Sequence, residues 1–228
     1  ESPKITIPLA LLGLMVLLAG GILIAQRGGE VTSDARHFQS IALNLAAGRG
    51  YVDSETFWPD QPTAQRAPGW PLLLAMVFKL LPGVAPDPLQ RGLALALHGL
   101  GALLIGALTA QLWRRRWAAV GAAAVAGLHP VGLHLAWQGL SEPLFVVLTA
   151  AGLLVFLRRP PHAAGGWFLL GLACLERVNF ILFFVFIPFL MIRSGVGREL
   201  SGVRSQKSGV RSQESEENRN PDPEGERR

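Results

Sequence analysis

Two carboxylates, Asp34 and Glu142, stand where an acid could do chemistry. Asp34 lies one helical turn before His37 and Phe38, in a stretch where Phe38, Ile41, Ala42 and Leu45 recur on one face. An acid on that face is costly unless it meets water, a cation or a proton acceptor. Glu142 follows Gly139, Leu140 and Ser141 and precedes Pro143, at the mouth of an apolar run. Facing one outer cavity, the two could bind a divalent metal (Mg or Mn) or activate a hydroxyl as general base. The ordinary alternative for both is a helix start: an acid beside the first-turn dipole, with Ser141 as N-cap and Pro143 in the first turn. Arg177 could hold a phosphate bidentately, or else pair with Glu176 or snorkel to the surface. Arg66, just before Pro68-Gly69-Trp70-Pro71, is a second phosphate candidate. His37, on the helix of Asp34, completes the substrate-binding set. His98, His129 and His134 read as packed or hydrogen-bonded residues, and Trp113, Trp117 and Trp137 as interfacial anchors.

The elements that must position these groups are set by an apolar composition. Half of the 228 residues are hydrophobic and only 16% are charged, against about 25% in a soluble domain; the mean hydropathy is +0.35. From Arg193 onward the chain holds 15 of its 37 charged residues, so the remainder is more apolar still. On this reading a soluble enzyme is ruled out. The isoelectric point near 10.3 does not indicate nucleic acid, because the basic residues flank apolar runs and read as topology signals. A single cysteine, Cys174, excludes an intrachain disulfide and a cysteine-based zinc site.

Along the chain, the first apolar run, 5–25, is too long for a signal-peptide core and reads as a retained span. In the polar loop 26–69, residues 34–47 predict an amphipathic helix lying on the membrane surface, with Thr32 or Ser33 as cap and Gly48 and Gly50 as stop. The run 70–81 is too short to span and predicts a re-entrant or juxtamembrane helix. Further spans are expected at 92–113, 117–135 and 140–157, and the block 163–192 is split in two by Glu176-Arg177-Val178-Asn179. The sum is an all-α polytopic protein of about six spans. Lys4, Arg114 to Arg116, Arg158, Arg159, Arg193 and Arg198 fall on one side, taken as cytoplasmic, which leaves the acids outside. The organisation is a membrane domain at 1–193 and a tail at 194–228, where seven-residue Ser-Gly-Val units in a Ser, Arg and Glu-rich background predict disorder.

The ordered set of motifs resembles the GT-C superfamily of membrane glycosyltransferases, bacterial members of family 39 in particular (the dolichyl-phosphate-mannose-protein mannosyltransferase type). Its pieces are Asp34 with Phe38, Ala42, Leu45, Gly48, Gly50 and Tyr51; Arg66 with Pro68, Gly69, Trp70 and Pro71; Gly139 to Phe145; and Gly171 to Arg177. The resemblance covers residues 1–193. It implies transfer of a sugar from a polyprenyl-phosphate donor to an acceptor hydroxyl on the outer face of the cytoplasmic (inner) membrane. Asp34 would be the catalytic carboxylate, Glu142 the second acid or metal ligand, and Arg177 the residue near the lipid phosphate. Phe38 stands where the pattern favours Tyr, and Glu176 where it favours a small or uncharged residue. Relatives continue for several more spans, so the chain reads as their N-terminal part, with a truncated gene product as one reading. The alternative is a non-catalytic scaffold or partner of another membrane subunit.

Overall fold

The computed structural model of the chain describes residues 32–56, 61–113, 115–157 and 163–177, all within the unit Glu1–Val178. The span expected at 5–25, the distal half of the 163–192 block and the 194–228 tail lie outside the described residues. Among the described residues the architecture is all-α. Its helices are α1 (Ser33–Ala46), α2 (Gly69–Leu80), α3 (Pro86–Trp113), α4 (Arg116–Leu128), α5 (Pro130–Trp137), α6 (Glu142–Phe156) and α7 (Ala163–Glu176).

α1 forms where the 3.6-residue pattern places it. Thr32 is its extended N-cap residue, without a side-chain cap bond, and Asp34 sits in the first turn. At the far end Gly48 and Gly50 take φ of 74° and 87°, conformations that cost a β-carbon-bearing residue steric energy. The apolar face, read from sequence as resting on the membrane surface, is instead covered by protein. Phe38 and Ala42 pack with Trp70, Leu74, Ala75 and Phe78 of α2, and Ala94 of α3 and Leu144 of α6 join the same core. Asp34 is not on this buried face: its side chain is 59% exposed. The desolvation cost expected for it does not arise.

α3 begins six residues before the predicted start at 92, because Pro86 and Pro88 are tolerated in a first turn whose amides lack helical partners. Asp87 there accepts from Gln39 Nε2 of α1 at 2.6 Å. The predicted span 117–135 is broken. Pro130 has no amide hydrogen and disfavours helical dihedrals at His129, which is extended at φ −61°, ψ 122°. α4 and α5 therefore meet at a bend of 49°. His98 of α3 bonds the Gly127 carbonyl at 3.0 Å near this bend; His129 and His134 are exposed, with the His134 ring 5.9 Å from that of Trp137.

α3 packs against α4 and α6, α6 against α7, and α1 against α2. Among the described residues, α3 is the one helix long and apolar enough to cross a membrane, joined by the bent α4–α5 pair if that crosses as one; α2, α6 and α7 are apolar but shorter. α7 ends at Glu176, where the sequence places the division of the 163–192 block.

Candidate functional site

The loop after α1 returns to the start of α2 and brings most of the candidate residues to one end of the helices. A single antiparallel bridge, Val52 to Pro62, pins the loop, and Asn44 Nδ2 donates to the Val52 carbonyl at 2.7 Å. The Tyr51 hydroxyl donates to the carbonyls of Arg66 at 3.0 Å and Ala67 at 3.2 Å. Burial, with the nearby Glu176 and Asp53 carboxylates, pushes the Tyr51 phenol up to about 12. It stays a hydrogen-bond donor at neutral pH and holds the Arg66 backbone in place.

Arg66 then reaches across to α1. Its guanidinium pairs with Asp34 Oδ1 at 2.7 Å and lies over the Phe38 ring, 5.7 Å from the centroid. A second pair of the same kind stands at the start of α6, where Arg177 Nη2 meets Glu142 Oε1 at 2.5 Å and the Arg177 guanidinium lies over Phe145. The other Glu142 oxygen is buried and finds no hydrogen-bond partner among the described residues. Each sequence-predicted acid thus has a sequence-predicted arginine beside it. Arg177 pairs with Glu142 and not with its neighbour Glu176, the partner its ordinary reading names. The two acids are held in separate ion pairs. The cavity of about 260 Å³ that Glu142 lines is walled mainly by Ala102, Ile105, Val125 and Val146. Among the described residues no group of three or more His, Cys, Asp or Glu side chains gathers in the way a metal ion needs.

The turn before α6 is set by a buried polar network that no local sequence signal announces. The Gly139 carbonyl accepts from Trp70 Nε1 at 3.1 Å and from Gln90 Nε2 at 2.8 Å. Gln90 Nε2 also reaches the Ala35 carbonyl of α1 at 3.1 Å, and the Thr32 amide donates to Gln138 Oε1 at 3.2 Å. Trp70 and Gln90 are both fully buried. α1, α2, α3 and the turn carrying Ser141 and Glu142 are thereby locked to one another.

Glu176 is the residue that sequence reasoning passed over. It is 3% exposed, and its carboxyl group lies against Gly69 at the first turn of α2. Neither oxygen meets a donor with hydrogen-bond geometry. Burial pushes this carboxyl up to about 7, tempered by the nearby Ser141 hydroxyl, Trp70 amide and Arg177 charge. The departure from the transferase pattern at this position was the available signal. His37, predicted as a substrate contact, bonds Asp53 instead: Nδ1 lies 2.7 Å from Asp53 Oδ2.

No protein-family model, curated protein or solved structure matches this chain.

Proposed function

We propose that the chain is a multi-pass glycosyltransferase domain of the GT-C type in the cytoplasmic (inner) membrane. It crosses the bilayer about six times and moves a sugar from a polyprenyl-phosphate donor to an acceptor hydroxyl at the outer face. The observation that carries this reading is the pair of contacts Asp34–Arg66, just before α2, and Glu142–Arg177, at the start of α6. A guanidinium held by one carboxylate is already oriented to receive a phosphate, and bidentate arginine–phosphate contacts are strong.

In the transfer, the acceptor hydroxyl gives its proton to Asp34 as its oxygen bonds to the anomeric carbon, while the bond from that carbon to the donor phosphate breaks and its electron pair leaves with the phosphate. Negative charge grows on the leaving phosphate, where Arg66 and Arg177 stabilise it. Positive charge grows at the anomeric centre, facing Asp34 and Glu142. The apolar cavity beside Glu142 suits part of an isoprenoid chain. A divalent Mg or Mn ion would share these acids with their arginines, each of which engages one carboxylate oxygen.

The test is transfer from a polyprenyl-phosphate hexose in membranes, with and without EDTA, for wild type, Asp34→Asn and Glu142→Gln. Loss of about 10²–10⁴-fold in Asp34→Asn at unchanged expression supports the reading; transfer at the wild-type rate overturns the role of Asp34. A second reading, a non-catalytic scaffold for another membrane subunit, draws on the same contacts, since an acid neutralised by arginine is also an ordinary structural ion pair. A wild type inert toward every donor, yet retaining a membrane partner through purification, selects it.

A further inference from the structure

The loop after α1 builds a second acid–base arrangement beside Asp34. Asp53 is 1% exposed, and both of its oxygens accept. Oδ2 lies 2.7 Å from His37 Nδ1, and Oδ1 takes the Glu55 backbone amide at 3.0 Å. The Thr56 hydroxyl, bonded to the Asp53 carbonyl at 3.1 Å, closes the turn around it. A carboxylate accepting at Nδ1 places the imidazole proton on that nitrogen and leaves the Nε2 lone pair available. This is the division of labour by which a buried acid orients a histidine base.

The His37 side chain is 19% exposed and lines a cavity of about 320 Å³ with Ser33, Arg36 and Glu55. Arg36 and Glu55 also line a cavity of about 450 Å³, whose wall adds Gln39, Asn44, Ser54 and Asp87. Amide, hydroxyl, carboxylate and guanidinium groups in one wall form the hydrogen-bonding set that a polyhydroxylated molecule requires. Asp34, one turn earlier on α1, has Oδ1 engaged by Arg66 at 2.7 Å.

We propose that His37, oriented by Asp53, is the general base that takes the proton from a sugar-like or polyol acceptor whose reacting hydroxyl sits in the cavity that His37 lines with Ser33, Arg36 and Glu55. The inference rests on the transferase reading and moves the acceptor proton from Asp34 to His37. The acceptor O–H bond breaks with its proton passing to Nε2, the oxygen forms the new bond to the anomeric carbon, and the electron pair of the cleaved bond leaves with the polyprenyl phosphate. His37 is then the catalytic base and Asp53 a positioning residue.

The experiment uses the full chain in membranes with a polyprenyl-phosphate hexose and a polyol acceptor. His37→Ala lowers kcat by about 10²–10⁴-fold, and free imidazole restores part of the loss. Asp53→Asn lowers kcat without imidazole rescue, because the tethered ring still fills the site. His37→Ala turning over at the wild-type rate overturns the assignment while leaving the transferase reading intact. A wild type inert toward every donor overturns both. In case His37→Ala unfolds α1, the tautomer is read separately by ¹⁵N NMR of the wild type. A proton on Nδ1 with bare Nε2 is expected, and the opposite tautomer overturns the proposal.

Discussion

Glu176, the last residue of α7, lies so close to Gly69 at the first turn of α2 that a side chain at position 69 would overlap its Oε2. The contact joins two helices more than a hundred residues apart and buries an acid at the positive end of α2. It also fixes where Arg177 can stand, and so where Glu142 finds its partner.

Gly69→Ala should therefore destabilise the protein modestly, by about 1 kcal/mol, because the overlapped atom is the tip of a side chain that can shift. The cause is specific, and so is its relief. In thermal unfolding of detergent-solubilised protein, Gly69→Ala combined with Glu176→Ala should be no less stable than Glu176→Ala alone. An equally large loss in both backgrounds would place the effect of Gly69 elsewhere.

Glu176 should also make stability fall as pH rises. Below about 4.5, its ordinary value, the carboxyl is protonated in folded and unfolded chains alike. Between 4.5 and about 7 the folded chain keeps the proton that the unfolded chain has lost, so the folded state binds more protons and stability declines toward neutrality. The loss is complete above pH 7 and amounts to about 3 kcal/mol. Unfolding temperatures measured from pH 4.5 to 8 should show this slope, and Glu176→Gln should flatten it.

Gln90 and Trp70 serve the same Gly139 carbonyl. Gln90→Leu and Trp70→Phe should each cost about 0.5–1.5 kcal/mol through the loss of one buried hydrogen bond. Because each single variant leaves the other donor in place, the double variant should lose more than the sum. Additive losses would show that the two bonds act independently.

The proposed topology puts the loop after α1 outside and the α3–α4 connection inside. In a Cys174→Ala background, a membrane-impermeant maleimide added to intact cells should label cysteines placed at Ser54 and Gln61 and spare one at Arg115. All three positions are exposed, so accessibility within the protein does not confuse the result; Asp53, which is buried, would be a misleading probe. Labelling at 115 from outside would invert the orientation.

The helix content was legible in the sequence wherever the deciding forces act within a few residues. The spacing of Phe38, Ile41 and Ala42, the stops at Gly48 and Gly50, the twelve-residue α2 and the end of α7 at Glu176 are all read from local pattern. Pro130 was a local signal too, but the apolar run across it suggested one continuous span. Tertiary structure alone decided which polar groups meet. Asp34 with Arg66 spans 32 positions, Glu142 with Arg177 spans 35, and Gln90 with Gly139 spans 49. Composition marks such residues as chargeable or polar, but their environment depends on which helices pack together. That packing turned Asp34 toward solvent, gave His37 a buried aspartate, and buried Glu176 where its proton becomes hard to remove.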